Sequence, residues 1–472
     1  MPSASLRFFL ILTTANTVNT LNKLRKFSLL AFVLLLAITA VIIVFSSQFR
    51  NSTNNKTVSQ PGIHDGVSYE MTPVPKASLP APVYPQAKSD ANLRVRKSIV
   101  DLTSEEKAAF INALKKVKNT IPEGSKLSLF DQLVLQHVMV AGFEKRFKSS
   151  GPAAGYNPAH PGHPAFLPWH RQLLDNLENA LQKVDPSVTI PYWDWTDPRA
   201  LDVMLSNDFM GGNGEGVEVV IPGVGTFKGG PVKSGPFADW TVNEDIHIEP
   251  INFTSLGPKI IRFLRIPQFD KYPIPKEVIN RMMNLDDYEI FSLVLEGGGT
   301  GLDKNSKIIE DWAVHVVSHA MIGGVVLKDY DKTALPTNQA QNLGTMMSIL
   351  SSPYDPTFWL THSNVDRLWA EWQDKGHTGE KFYPTNRMDY GYNLKDPIWP
   401  WDGGKSTPGN LNDTDLVSML PKTNRIITAA DLLNFRKLGY TYDTTRLRSE
   451  KAMLKPKSES NSSIRHWWKK RA

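Results

Sequence analysis

Three histidines fall within the twelve residues HPGHPAFLPWHR at 160–171, in a chain of 472 residues that holds eleven histidines and no cysteine. The missing thiols exclude Fe–S clusters, thiolate zinc sites and cysteine nucleophiles. A solvated loop has no need of such a cluster, so the imidazoles either bind something or have gathered by accident. If they bind a metal, the fold must bring further histidines from distant segments to the same point. Rigid helices do this best, because they fix the separation of the donors they carry.

Four stretches with helical signals each carry a histidine. DQLVLQHVMVAGFEKRF, residues 131–147, holds His137, and a helix from Trp169 through Leu173, Leu174, Leu177 and Leu181 to the break at Asp185-Pro186 holds His170. In EDWAVHVVSHAMIGG, His315 and His319 stand four apart and so share a helix face, which Gly323-Gly324 closes. SPYDPTFWLTHSNVDRLWAEWQ turns at Asp355-Pro356 and begins a helix with His362 near its start and Val365, Leu368, Trp369 and Trp372 as an apolar stripe. Ahead of these, Thr103 and Glu106 have capping-box spacing for a helix carrying Phe110, Leu114 and Val117. Glycines between 211 and 235 indicate long loops or short strands. Taken singly, His137 reads as a core histidine, and the H-x-x-x-H pair lacks the Glu of a H-E-x-x-H protease, since Val316 follows His315.

Taken together, these segments resemble the tyrosinase family, the type-3 dicopper proteins that include tyrosinases, catechol oxidases and molluscan haemocyanins. His160, Phe166, Trp169-His170-Arg171 and Glu178 match one family signature, and Asp355-Pro356, Phe358, His362 and Asp366 match the other. The similarity covers roughly residues 94–443 and includes PYWDWTDPR at 191–199, GTMMSILSSPYDP and the closing LGYTYD. It implies a mainly α fold: a four-helix bundle holding a dicopper centre, with long loops and short strands. It also implies two copper ions, CuA on His137, His160 and His170, and CuB on His315, His319 and His362. Neutral imidazole suits copper in both oxidation states, and three ligands per ion leave positions open. Two copper ions can together give two electrons to O2, whereas one cannot.

Several positions depart from the family pattern. The commonest spacing would put the second CuA histidine at Pro161, so His160 and His163 both stand as candidates. The cysteine that tethers a CuA histidine in fungal and plant relatives is absent, and Thr361 replaces the histidine usually found before the last CuB ligand. Asp366, one turn after His362, is expected either to orient that ring or to act as a first-turn acid on the helix dipole. Arg171 is expected in a buried ion pair, while His64, His247, His377 and His466 are expected to be structural or solvated. Relatives that hydroxylate monophenols hold a water between a Glu and an Asn that follows the first CuB histidine. Leu295-Glu296-Gly297 resembles the Glu segment, and the Asn position is Val316.

The remainder of the chain concerns location. Residues 1–26 form a short basic segment, and Phe27 to Phe45 are polar only at Ser28 and Thr39. At ~1.5 Å per residue this run spans about 28 Å, enough for a single transmembrane anchor. Lys23, Arg25 and Lys26 precede it, which places the catalytic domain on the lumenal or extracellular side as a signal-anchored, single-pass membrane protein. A cleaved signal peptide and an organelle transit peptide are the alternatives. Sequons at Asn51, Asn55, Asn252, Asn412 and Asn461 agree with a secreted glycoprotein. Residues 46–93, rich in Ser, Asn and Pro, read as a flexible stalk, and 444–472 as a basic tail with no shielding domain. Five basic residues and no acid in 1–50, with nine basic against two acidic in 444–472, leave the middle of the net +6 chain mildly acidic. Nucleic acid is therefore not an expected partner.

The expected function is copper-dependent oxidation of phenolic substrates, o-diphenols and in part monophenols, by O2 to o-quinones in a polyphenol oxidase with monooxygenase chemistry. The substrate is a small phenol or tyrosine within a peptide. A haemocyanin-like oxygen carrier without efficient turnover is the alternative.

Overall fold

The computed structural model describes residues 93–143, 149–152, 164–221, 224–246, 256–266, 270, 272–296, 301–302, 308–309, 314–326, 341–385, 389–411 and 414–445. The apolar segment 27–45, its basic leader, nearly all of the expected stalk and tail, the five sequons, and His160 and His163 lie outside these residues. Among the described residues no helix is long and apolar enough to cross a membrane.

The helices form where the sequence supplies caps and apolar faces. In α1 (Ser104–Asn119), Thr103 Oγ1 accepts the Glu106 N–H and the Glu106 carboxylate accepts the Thr103 N–H. Phe110, Leu114 and Val117 are buried on its inner face, each stabilising the fold by roughly 1.5–3 kcal/mol. Helix α2 (Leu129–Val140) starts on the Ser128 cap, and its side chains are buried from Phe130 onward except Gln132, so it runs through the core. It gives way to a 3-10 turn at Ala141–Phe143, earlier than the expected end at 147. Helix α3 (Phe166–Val184) begins three residues before the expected Trp169. Pro168 is tolerated because the first-turn amides have no intrahelical acceptor anyway.

Helix α4 (Tyr288–Glu296) leads to α5 (Val314–Gly323), and α6 (Thr357–Asp374) completes the set that matters here. Gly324, at φ +73°, stops α5; a Cβ there would meet the Phe263 Cβ at 2.6 Å. The start of α6 is fixed by Asp355, whose carboxylate accepts the Thr357 N–H and is gripped at both oxygens by Arg262. Helix α2 packs on α3, α3 on α6 and α6 on α5, with α4 lying against α3 and α5. The architecture is mainly helical, as the sequence indicates.

The strands described are short, two to seven residues. β1 (Arg94–Arg96) pairs in parallel with a late strand at Tyr440–Tyr442, joining the two ends of the domain. The glycine-rich region supplies β2 (Val217–Ile221) and β3 (Gly225–Pro231), an antiparallel hairpin extended by β4 (Ile261–Arg262).

A buried charge cluster ties these parts together. The Asp366 carboxylate receives Arg171 Nε at 2.5 Å, Arg96 Nη1 at 3.1 Å, and the Tyr440 and Tyr442 hydroxyls at 2.6 and 2.7 Å. Arg96 also bonds Glu178 on α3. Arg171 therefore makes the expected buried ion pair. Asp366 does not orient His362 as expected, because four donors already fill its oxygens and His362 Nδ1 bonds the Phe358 carbonyl, and it lies in the third turn of α6 rather than at the helix start.

Candidate metal centre

Six imidazoles would need neutral rings, free lone pairs and fixed tautomers to bind copper, and among the described candidates His170, His315, His319 and His362 meet these conditions. His315, His319 and His362 bring one nitrogen each within 4.8 Å of one another. The Nδ1 of His315 donates to the Glu296 carbonyl at 3.1 Å, that of His319 to the Met346 carbonyl at 2.6 Å, and that of His362 to the Phe358 carbonyl at 2.9 Å. With every Nδ1 proton committed, each Nε2 presents a lone pair. His315 Nε2 lies 2.9 Å from that of His319 and 3.1 Å from that of His362. Three lone pairs so close repel unless a cation sits among them, so this donor set fits a copper ion.

The other half follows in part the same rule. His170 Nδ1 donates to the Phe166 carbonyl at 2.9 Å, and its Nε2 is buried without a hydrogen-bond partner. His137 Nδ1 is likewise buried and unpartnered. The ring centroids of His137 and His170 lie 5.7 Å apart, and His170 stacks on His362 at 4.5 Å, so the two halves touch. The two further candidates, His160 and His163, precede α3 in a segment outside the described residues. Five of the six expected ligands are thus brought together.

Burial keeps the rings neutral. It pushes His170 down to about 3 and His319 down to about 4. His137, His315 and His362 are held well below the ordinary value by burial and then by neighbouring imidazoles. Two phenylalanines wall the centre. Phe358 stacks on His362 at 3.8 Å, and Phe166 lies 4.2 Å from His170 and 5.1 Å from His315.

Residues 127–375 match the family model described as the common central domain of tyrosinase. The chain is 30% identical over 325 residues to a tyrosinase of Streptomyces antibioticus, covering 68% of this chain and 97% of that protein. The chain belongs to the tyrosinase family. Grixazone synthase of Streptomyces griseus is 29% identical over 343 residues, 68% of this chain and 97% of that one. A solved polyphenol oxidase variant from Thermothelomyces thermophila is similar at 22% identity, covering 74% of this chain and 88% of that one, with a TM-score of 0.47. This tyrosinase-family protein is an oxidoreductase of the tyrosinase and catechol oxidase type. Its cofactors are two copper ions and its reaction is copper-dependent oxidation of phenols by O2.

The family's finer markers also have places. Glu296 is buried at the end of α4, nineteen positions before His315 in sequence but bonded to it through its carbonyl. Its carboxylate accepts the Ser292 hydroxyl. Val316 is half-buried, three residues before His319, and is not among the side chains packed against the main core, whereas Val317 is. His377, expected to be structural or solvated, stacks on Trp372 at 4.2 Å and bonds Asp286 at 2.9 Å. Sequence reasoning missed Arg96, Tyr288, Tyr383 and the role of the LGYTYD tyrosines. Only the last had a signal, as part of the family likeness.

Proposed function

We propose that this protein is a catechol-oxidase-like enzyme, efficient on o-diphenols and slow on monophenols, with CuA on His137, His170 and either His160 or His163, and CuB on His315, His319 and His362. The observation that carries the preference is Val316. It adjoins His315 on α5, is half-buried outside the packed core, and has no polar atom to hold a water. The amide that relatives use together with the Glu to hold a water is thus replaced at position 316 by an apolar side chain. A monophenol must lose its phenolic proton before oxygen insertion, whereas an o-diphenol loses protons more readily and needs no inserted oxygen.

The copper pair, when bound, supplies the electron exchange with O2. The chain's own residues do the rest: five neutral imidazoles are oriented or freed for metal, and Phe166 and Phe358 give the centre apolar walls. Two o-diphenols each give up two electrons and two protons, and one O2 takes up all four of each as two waters. Initial rates on tyramine and dopamine test the preference. Dopamine should be oxidised far faster and tyramine with a lag; equal rates without a lag would overturn it.

The location and domain readings rest on sequence. Residues 94–443 act as the dicopper domain, a view supported by the β1 pairing with Tyr440–Tyr442. Residues 27–45 anchor it with the domain on the lumenal or extracellular side, supported by the basic residues ahead and by the sequons. Digestion of the domain in intact microsomes, without any glycan on it, would reverse that orientation.

A further inference from the structure

Helix α3, which carries His170, begins without a side-chain cap: Ala165 occupies the cap position and offers no polar atom. The residue before it is held from outside the helix. The carbonyl of Pro164 accepts the Tyr288 hydroxyl at 2.6 Å and the Tyr383 hydroxyl at 3.1 Å. Two donors on one carbonyl use both of its lone pairs and fix its direction. The two phenol rings are buried and touch, with centroids 4.8 Å apart. Burial raises both well above the ordinary tyrosine value, with Tyr383 and then Glu296 adding to it at Tyr288 and Glu296 adding to it at Tyr383, so both remain protonated donors.

Two residues beyond the gripped carbonyl stands Phe166. Its own carbonyl takes the His170 Nδ1 proton, and its ring packs on His170 and His315. Tyr288 opens α4, and the same helix closes at Glu296, whose carbonyl takes the His315 Nδ1 proton. One nine-residue helix therefore reaches both halves of the centre. We propose that Tyr288 and Tyr383 are positioning residues for CuA, gripping Pro164 so that α3 delivers His170 in register with the CuB triad. This non-covalent grip works in a chain that has no cysteine to tether a CuA histidine. The proposal rests on the assignment of His170 to CuA.

The test uses the full chain, loaded with copper, as the unmodified protein, His170→Ala, Tyr288→Phe, Tyr383→Phe and the double Tyr288→Phe/Tyr383→Phe. Copper per chain is measured under competition with a chelator, and the oxidised protein is examined by electron paramagnetic resonance. A coupled Cu(II) pair is silent, while a lone Cu(II) gives a signal. The double variant should bind one of its two ions about 10–100-fold more weakly, the loss usual when a ligand's supporting partner is removed. It should then show the lone-ion signal, with each single variant between it and the unmodified protein. Tyr192→Phe, which removes a phenol from Asp443 away from the histidines, should bind both ions as before. If the double variant does not fold, the two single variants decide by the same titration. Tyrosine variants that bind both ions with unchanged affinity and lose only thermal stability would overturn the grip while leaving the CuA assignment intact. An unmodified protein holding fewer than two ions, or His170→Ala holding two, would overturn the assignment and the grip with it.

Discussion

His315, His319 and His362 reach their common point from two helices packed directly on each other, and each has its Nδ1 pinned to a backbone carbonyl. His137 and His170 arrive from α2 and α3, and their third partner is sought in the sequence ahead of α3, at His160 or His163. In the CuB half the spacing of four residues along α5 places two donors by backbone geometry alone. The proposed CuA half depends on how an uncapped helix start is held. Donors four apart on one helix are set by local structure, whereas donors brought from separate elements are set by tertiary contacts, and the two should fail differently when disturbed.

The largest effect comes from removing a donor. His315→Ala should leave one copper per chain and lower dopamine oxidation on the order of ten-thousandfold, because the two ions act as a unit. On the CuA side the same experiment doubles as an assignment: of His160→Ala and His163→Ala, one should match His315→Ala and the other should keep both ions. If both kept two ions, neither His160 nor His163 would be a ligand and the comparison between the halves would collapse.

Acid should disturb both halves at once. The five candidate copper histidines, His137, His170, His315, His319 and His362, are all held below the ordinary value, His170 at about 3 and His319 at about 4. An unfolded chain therefore binds protons below about pH 6.5 that the folded, copper-free protein refuses. The sign follows: stability is highest above that pH and falls as pH drops toward 4, by about 1.4 kcal/mol per pH unit for each such histidine. Thermal melts of the copper-free protein between pH 7.5 and 5 check this, and a flat profile would mean that the rings are not buried neutral. Copper should raise the melting temperature at neutral pH and lose that effect in acid.

Next in size is the charge cluster beneath both halves. Burial alone would raise the Asp366 pKa, but Arg171 and Arg96 hold it below the usual carboxylate range. Asp366→Asn leaves the buried Arg171 guanidinium without its carboxylate, while Arg96 keeps Glu178, and should cost about 3–5 kcal/mol of stability. Because α3 and α6 meet at this residue, the loss should weaken CuA and CuB together. A variant that loosened one ion alone would break the picture of a shared foundation.

How much of this was legible in the sequence follows the same division. The H-x-x-x-H pair, the Asp355-Pro356 turn and the Thr103 capping box depend on neighbours within a few residues, and the structure has them where the spacing put them. The role of Asp366 was not legible. Its partners Arg96 and Tyr440 lie 270 and 74 positions away, and nothing local distinguishes an acid that orients a histidine from one that anchors two arginines. The early start of α3 at Phe166 was missed because Pro168 looks like a boundary, although a first-turn proline forfeits no helical bond. Glu296 was legible only as a motif at an unusual distance, and the packing of α4 on α5 closes that distance.

The smallest predicted effect lies at Val316, where one half of the centre differs from relatives that hydroxylate efficiently. The side chain is half-buried and outside the main apolar core, so Val316→Asn should cost little stability. The amide would follow His315 directly on α5 and stand three residues before His319, where we propose that it acts with Glu296 to hold a water that accepts the phenolic proton. A placed base contributes ~10²–10⁴-fold at best, and an unoptimised one should fall short of that range, so the tyramine to dopamine rate ratio should rise roughly tenfold. The lag on tyramine should shorten in parallel, because it reflects slow first turnovers on the monophenol. If the ratio stayed fixed while the variant kept both ions and its melting temperature, access to the site rather than proton removal would govern the choice. Val316 would then be no more than a packing residue at the edge of CuB.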